Sequence, residues 1–202
     1  MFTIVLLLAV AVVALLLYAY TRPDSYRVES KITIAAPART ILPYLRNLQE
    51  RVNWSQWERI DPNGKREYGG VMGEVGSTYH WDSKHKQAGE GRMEIISISD
   101  NRVEVDVQFI RPFPGRAKVD YLLEPMGNAT LVSIAFQTAP SFMGKLMWIF
   151  FKPEKMIGSM HEKSLNNIRT LVEANTAMGE RMGRSVAKMT ATPNSKTKVE
   201  KA

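Results

Sequence analysis

Residues 153–174 read PEKMIGSMHEKSLNNIRTLVEA, and this stretch decides how the rest of the chain can fold. On a 3.6-residue period, its apolar side chains fall on one side of a helix and its charged side chains on the other. Pro153 fits the first helical turn because that turn needs no backbone N–H, and Glu154 complements the positive end of the helix dipole. The pattern predicts a long amphipathic helix with an apolar stripe made of Met156, Ile157, Met160, Ser164, Leu165, Ile168, Leu171 and Val172.

Segments that alternate apolar and polar residues precede this helix. Residues 102–109 give the clearest case, because Val103, Val105, Val107 and Phe109 share one face and polar side chains take the other. Further strands are predicted at residues 26–34, 78–81, 89–97, 118–123 and 130–138, and short helices at residues 37–45 and 48–53. The order is one strand, two small helices, about six strands and the long helix. It predicts an α+β fold in which a curved antiparallel sheet grips the C-terminal helix.

The chain begins with an uncharged apolar run at residues 2–20. Its length is close to the ~20 residues that a helix needs to cross a bilayer. A removed signal peptide is the alternative, but the run has no basic residue before it and Tyr18-Ala19-Tyr20 is a poor cleavage site. We therefore expect a transmembrane anchor at residues 1–21. The basic residues that follow it, Arg22, Arg27 and Lys31, predict a single-pass membrane protein with its main domain in the cytoplasm.

The composition excludes several kinds of site. The 202 residues include no cysteine, which excludes disulfides, thiol nucleophiles and thiolate metal sites. His80, His85 and His161 have no metal-ligand spacing, so we predict neither a metal nor a cofactor. The glycines at residues 69–76 do not form a phosphate-binding loop, since neither a Lys-Ser/Thr pair nor a helix follows them.

The last segment, residues 176–202, is basic and has little apolar periodicity. From residue 177 it holds six Lys or Arg and two Glu, a local charge of +4 out of the total +7. One interpretation is a solvated, disordered tail. The other is a basic segment attracted to anionic lipid, with about 1 kcal/mol for each basic residue near the surface. Nucleic acid is not a predicted partner, because the basic residues are not interleaved with aromatic ones.

An ordered set of short motifs runs through residues 26–174. It comprises Ala36-Pro37, Asn53-Trp54-Ser55-x-Trp57, Gly73-x-x-Gly76-Ser77-x-Tyr79-x-Trp81, Gly89-x-Gly91, Pro112-Phe113, Gly127-x-x-Thr130 and the closing helix. Together these motifs resemble the START-like superfamily, also called SRPBCC, and in particular its polyketide cyclase/dehydrase-like branch. The resemblance implies a helix-grip fold over residues 26–175, with an elongated apolar cavity between the sheet and the long helix. It also implies a hydrophobic ligand such as a lipid, sterol or polyketide, and it leaves both carriers and enzymes open.

The predicted ligand-binding residues are large side chains on faces that should look into such a cavity. They are Trp57, Tyr79, Trp81, Phe109, Tyr121, Phe136, Met156, Met160 and His161. Pockets for hydrophobic molecules are lined mainly by residues of this kind, and methionine adapts to varied ligand shapes. For each of them, packing in a dry core is the alternative.

No catalytic residue is predicted. His161 lies beside the inward stripe of the long helix, but nothing in the sequence supplies it with a partner. His80 lies between Tyr79 and Trp81 on a strand and should therefore point to the opposite face. The leading hypothesis is a membrane-tethered, non-enzymatic module that binds or transports a hydrophobic small molecule or lipid. An enzyme of the cyclase or dehydrase type, with His161 or a carboxylate as base, and an interaction domain without a ligand are the alternatives.

Overall fold

The computed structural model of the protein describes the backbone of residues 1–190 and the side chains of residues 1–179, 181 and 182. Its centre is an antiparallel sheet of seven strands in the order β1-β7-β6-β5-β4-β3-β2. The strands are β1 (Tyr26–Ile34), β2 (Lys65–Gly69), β3 (Thr78–Asp82), β4 (Glu90–Ser99), β5 (Arg102–Arg111), β6 (Gly115–Met126) and β7 (Ala129–Thr138). The predicted α+β class and antiparallel meander are therefore confirmed.

The helices lie at the two ends of the chain and between β1 and β2. They are α1 (Phe2–Tyr20), α2 (Ala38–Arg46), α3 (Arg51–Trp54), α4 (Phe142–Phe151) and α5 (Pro153–Thr190), with single 3-10 turns at Leu48–Glu50 and Gln56–Arg59. The helix predicted from the opening stretch is α5. It begins at Pro153 as predicted but continues past residue 174 to Thr190, because this part of the chain is rich in good helix formers such as Ala, Met, Glu and Arg. Of the predicted tail, residues 191–202 lie outside the described residues.

One face of the sheet forms the core together with α2 and α5. Val103, Val105 and Val107 of β5 are almost completely buried, and the alternating residues between them are more exposed, as the sequence predicted. Ile168 and Val172 of α5 are fully buried in the same core. Register shifts between Glu90 and Gly91 and between Ile95 and Ser97 mark bulges in β4, and bulges of this kind bend a strand.

Hydrogen bonds to neighbouring parts of the chain hold helix α5 between residues 164 and 175, and one of them joins Asn175 Nδ2 to Tyr44 Oη of α2 at 3.0 Å. Toward β1, Glu173 Oε1 accepts a hydrogen bond of 2.9 Å from the backbone N–H of Ala35. Toward α3, Asn167 Nδ2 donates to the Trp54 carbonyl at 3.0 Å, and Ser164 Oγ accepts from the Gln56 N–H at 2.8 Å. The first half of α5 is therefore fixed against β1 on one side and against the α3 segment on the other.

Helix α4 lies next to the end of α1. Its Lys145 is buried and donates to the Arg22 carbonyl at 3.1 Å, and it also forms an ion pair with Asp24. The rings of Trp148 and Tyr26 lie 3.9 Å apart. Among the described helices, α1 alone is long and apolar enough to cross a membrane by length and composition, a test that a signal sequence also passes.

Candidate functional site

A cavity of about 940 Å³ lies between the sheet, α4 and α5. Strands β2 to β7 supply its sheet wall, and α5 lies across from them. The α3 segment, α4 and the loops after β3 and β5 contribute the rest of the lining. Its volume is near the upper end of the ~300–1,000 Å³ that small-molecule sites occupy. The hollow expected between sheet and long helix is therefore present.

Aromatic rings form a continuous row along the cavity. Each ring contacts the next with a centroid separation of 5.8–6.5 Å, a range in which aromatic pairs attract each other. The row runs through Tyr79, Trp81, Phe109, Phe136 and His161. Such a wall is apolar and wide, and it suits a hydrophobic molecule better than a small polar one.

The other part of the lining is charged and deeply buried. Arg51 is 4% exposed, and its guanidinium donates to Tyr121 Oη at 3.0 Å and to Ser55 Oγ at 3.3 Å. Its Nε lies 3.4 Å from Glu58 Oε1, an ion pair without hydrogen-bonding geometry. The guanidinium also lies over the Trp54 ring, 5.6 Å from the centroid.

Glu58 is shared among several donors. Its Oε2 accepts a hydrogen bond of 2.7 Å from Tyr79 Oη and one of 3.1 Å from Arg66 Nε. Burial raises the pKa of Tyr79 far above its ordinary value, and the negative charge of Glu58 adds to this shift. The phenol is therefore neutral and acts as a hydrogen-bond donor to the carboxylate.

His161 faces the cavity from α5. It is 5% exposed, and its Nδ1 has no hydrogen-bond partner among the described residues. Burial, together with the positive charge of Arg51, lowers the pKa of His161 to about 4. The imidazole is therefore neutral at physiological pH, with one ring nitrogen as donor and the other as acceptor.

The structure brings most of the predicted ligand-binding residues to the cavity. Trp57, Tyr79, Trp81, Phe109, Tyr121, Phe136, Met156 and His161 all line it. Met160 does not. The cavity-facing stripe of α5 contains Ile157, His161 and Ser164, and Met160 is rotated by about 100° from His161 around the helix. Whether the lining residues hold a ligand stays a prediction.

Trp54 and Trp57 both contribute to the lining. In a fully extended segment they would lie on different faces, but two short helical turns joined at the extended Ser55 bring both to the cavity. His80 lies outside the lining, as its position between Tyr79 and Trp81 indicated. Its ring nitrogens are 3.3 Å from Glu90 Oε1 and 3.6 Å from Glu67 Oε2.

The sequence did not identify the buried charges. Arg51 and Glu58 were not predicted as site residues, although a basic and an acidic residue seven positions apart flank both tryptophans of the Asn53-to-Trp57 motif. That juxtaposition of charged and large aromatic residues was the feature of the sequence that could have identified Arg51 and Glu58 as site residues. Among the side chains that the structure describes, no group of three or more His, Asp or Glu is placed to hold a metal ion.

No protein-family model matches the sequence, and no curated protein matches it either. Solved structures do match the fold. The di-domain ARO/CYC protein StfQ from the steffimycin biosynthetic pathway aligns with a TM-score of 0.57 and 8% identity, over 76% of this chain and 52% of StfQ. The Aha1 dimer from Colwellia psychrerythraea aligns with a TM-score of 0.53 and 15% identity, over 73% of this chain and 96% of that one.

The protein Ara h 8.0201 aligns with a TM-score of 0.53 and 10% identity, over 74% of this chain and 99% of its own. In contrast, the chain spans about half the length of StfQ (52%) and of DynU16 from the dynemicin biosynthetic locus (49%). At these identities the likeness shows the fold alone. That fold is a helix-grip fold, in which the long C-terminal helix packs on a seven-stranded antiparallel sheet, as predicted.

Proposed function

We propose that the protein binds or transports a hydrophobic small molecule or lipid in the cavity between the sheet and α5. The observation that carries this proposal is the cavity of about 940 Å³ with its continuous row of aromatic rings. Burial of an apolar ligand in a preformed apolar space is favourable by roughly 25 cal/mol for each Å² removed from water. An interaction domain without a ligand would be expected to fill this space with its own side chains.

We also propose that α1 anchors the protein in a membrane, with the domain on the cytoplasmic side. The support is the apolar length of α1 and the basic residues Arg22, Arg27 and Lys31 that follow it. Helix α4 adds further support, because Phe142, Met143 and Phe150 are exposed on it and apolar surface of this size rarely stays in water. Since α4 lines the cavity with Met147 and Trp148 and also contacts the end of α1, the ligand could pass between bilayer and cavity along α4.

The binding proposal is tested by filling the cavity. Val119 lines it from β6, and its neighbour Lys118 points to the opposite, exposed face of the same strand. Native mass spectrometry of the purified full chain, with hexadecan-1-ol added, should show a bound hydrophobic molecule on the wild type and on Lys118→Trp. Val119→Trp should carry less, because the indole projects into the cavity and reduces the space left for the ligand.

The control for this test is the folded state of each variant, measured by circular dichroism. Should Val119→Trp fail to fold, lipid extraction of the wild-type protein followed by mass spectrometry tests the same proposal. A wild-type protein that carries nothing after both procedures contradicts it, as does a folded Val119→Trp variant that binds as much as Lys118→Trp.

A second candidate function is an enzyme of the polyketide cyclase/dehydrase type. The observation that favours it is His161, a neutral imidazole with a free ring nitrogen on the wall of the cavity and with Arg51 nearby to polarise a substrate oxygen. Incubation of the recovered ligand with the full chain distinguishes the two functions, because an enzyme converts the molecule and a carrier returns it unchanged. Full turnover by His161→Ala would remove His161 from this role.

A further inference from the structure

We propose that Arg51, Ser55, Tyr121 and His161 form an oxyanion subsite, so that the preferred ligand is an amphiphile with a carboxylate head and a long apolar tail. We call these four residues the polar end of the cavity. All four line the cavity, and each is at most 5% exposed. This inference rests on the proposed binding function and specifies the chemistry of its ligand.

The polar end presents hydrogen-bond donors that are not used up within the protein. Arg51 donates to the hydroxyl oxygens of Tyr121 and Ser55, at 3.0 and 3.3 Å. A hydroxyl that accepts such a bond keeps its own proton to donate to another acceptor. The Nδ1 of His161, which has no hydrogen-bond partner among the described residues, adds a ring nitrogen from α5. A carboxylate accepts several hydrogen bonds at once, and it therefore suits this arrangement better than a neutral alcohol or ester.

The charge of the polar end is also incompletely compensated. Glu58 is the acidic partner of Arg51, but its Oε2 accepts from Arg66 and from Tyr79. Two guanidinium groups thus share one carboxylate, and Arg51 makes its hydrogen bonds to neutral hydroxyls instead. Burying a cation without full compensation is costly, so an anion placed beside Arg51 would be stabilised there.

The basic side chains farther along the lining do not add to this charge equally. Lys65, Arg111 and Arg116 form ion pairs with Glu67, Glu90 and Asp106, which lie outside the lining. The aromatic row begins at His161 and passes through Phe136 and Phe109, so a tail that extends from the polar end meets apolar surface.

The test is a competition between two ligands that differ in their head group alone. The full chain in detergent micelles is incubated with equal amounts of palmitic acid and hexadecan-1-ol at mildly alkaline pH, where the acid is ionised. Native mass spectrometry then counts each ligand on the protein. We expect the wild type to prefer the acid by at least about tenfold, the usual effect of charge-assisted hydrogen bonds in a buried site.

Arg51→Met should abolish this preference by weakening binding of the acid while leaving hexadecan-1-ol bound. Tyr121→Phe removes one donor without changing the shape of the side chain, and it should lower the preference for the acid about fivefold. If Arg51→Met does not fold, the result with Tyr121→Phe decides the test. Arg59→Met is the matched control, since Arg59 is exposed and lies outside the lining, and it should keep the full preference.

The outcomes separate this inference from the proposed function. If the wild type binds hexadecan-1-ol as well as palmitic acid, or if neither Tyr121→Phe nor Arg51→Met changes the ratio, the oxyanion subsite is wrong and the hydrophobic cavity stands. If the wild type binds neither ligand, the proposed function itself fails and the inference fails with it.

Discussion

At the scale of single residues, His161 makes the stability of the fold depend on pH. Its pKa is about 4 in the folded protein, while an unfolded histidine titrates near 6.5. The unfolded chain therefore binds more protons between these values, and the free energy of unfolding must fall as the pH drops from about 6.5 toward 4. Between about pH 7 and about pH 5, His161 should account for a loss of roughly 2 kcal/mol. Urea denaturation at the two pH values measures this loss.

The variant His161→Gln should lose less stability over the same pH interval, because it removes the group that titrates. His85 is exposed, so His85→Gln is the matched control and should retain the wild-type pH dependence. Equal pH dependence in the wild type and His161→Gln would show that His161 is not held neutral by burial.

His161 and Arg51 also show what sequence can and cannot predict about a site. The inward position of His161 follows from the spacing of the apolar stripe on one helix, which is local information. The burial of Arg51 does not follow from local information, because its partner Tyr121 is 70 positions away and a charged residue is on average exposed. The apolar wall of the cavity was therefore predictable from strand alternation, and the buried charges were not.

At the scale of secondary-structure elements, two glycines beside Phe109 differ in whether the surrounding structure has room for a side chain. Gly91 of β4 and Gly115 of β6 both pair with Phe109 in the sheet. A Cβ atom at Gly91 would lie 2.3 Å from the Trp81 ring and 2.7 Å from the Gln108 carbonyl, whereas one at Gly115 would meet no atom within 4 Å. Gly91→Ala should therefore lower the free energy of unfolding by about 1–3 kcal/mol, the usual cost of overpacking.

The matched substitution Gly115→Ala should change the free energy of unfolding by less than about 0.5 kcal/mol. Both variants are measured by urea denaturation under identical conditions. Equal stability of the two variants would mean that the Trp81 ring and the Gln108 backbone move away without cost, contrary to this expectation.

The elements also differ in how well their sequences predicted them. Strands β5 and β6 each bury one face, so alternation located them. Strand β7 was also located from Val132, Ile134 and Phe136, although Ser133 and Ala135 on its other face are buried as well. Strand β2 (KREYG) was not located, because it is short, carries three charged residues and lies at the edge of the sheet. The full length of α5 beyond residue 174 was not predicted. The spacing of Met178, Met182, Val186 and Met189 allows some helix there, but Met178 and Met182 are exposed and give no apolar stripe that packs on the core.

At the scale of the whole molecule, the cavity, α4 and α1 form one connected arrangement. Lys145 and Trp148 of α4 contact residues 22–26, which follow α1, and Met147 and Trp148 of the same helix line the cavity. If α1 lies in a bilayer, this contact holds α4 close to the lipid surface. The side chain of Phe150 is exposed and lies outside the cavity lining, and it should then insert into the apolar part of the membrane.

The absence of cysteine allows this to be measured with single labels. A polarity-sensitive fluorophore attached at Phe150→Cys, in the full chain reconstituted into phosphatidylcholine vesicles, should emit at shorter wavelength and be quenched by nitroxide-bearing lipids. The same label at Lys163→Cys, on the exposed side of α5, should report water and resist quenching. Because both labels sit on the same folded chain, strong quenching at Phe150 with none at Lys163 supports an α4 that rests on the bilayer beside the cavity. Equal, weak quenching at both sites would mean that α4 stays in water and that the ligand has another route to the cavity.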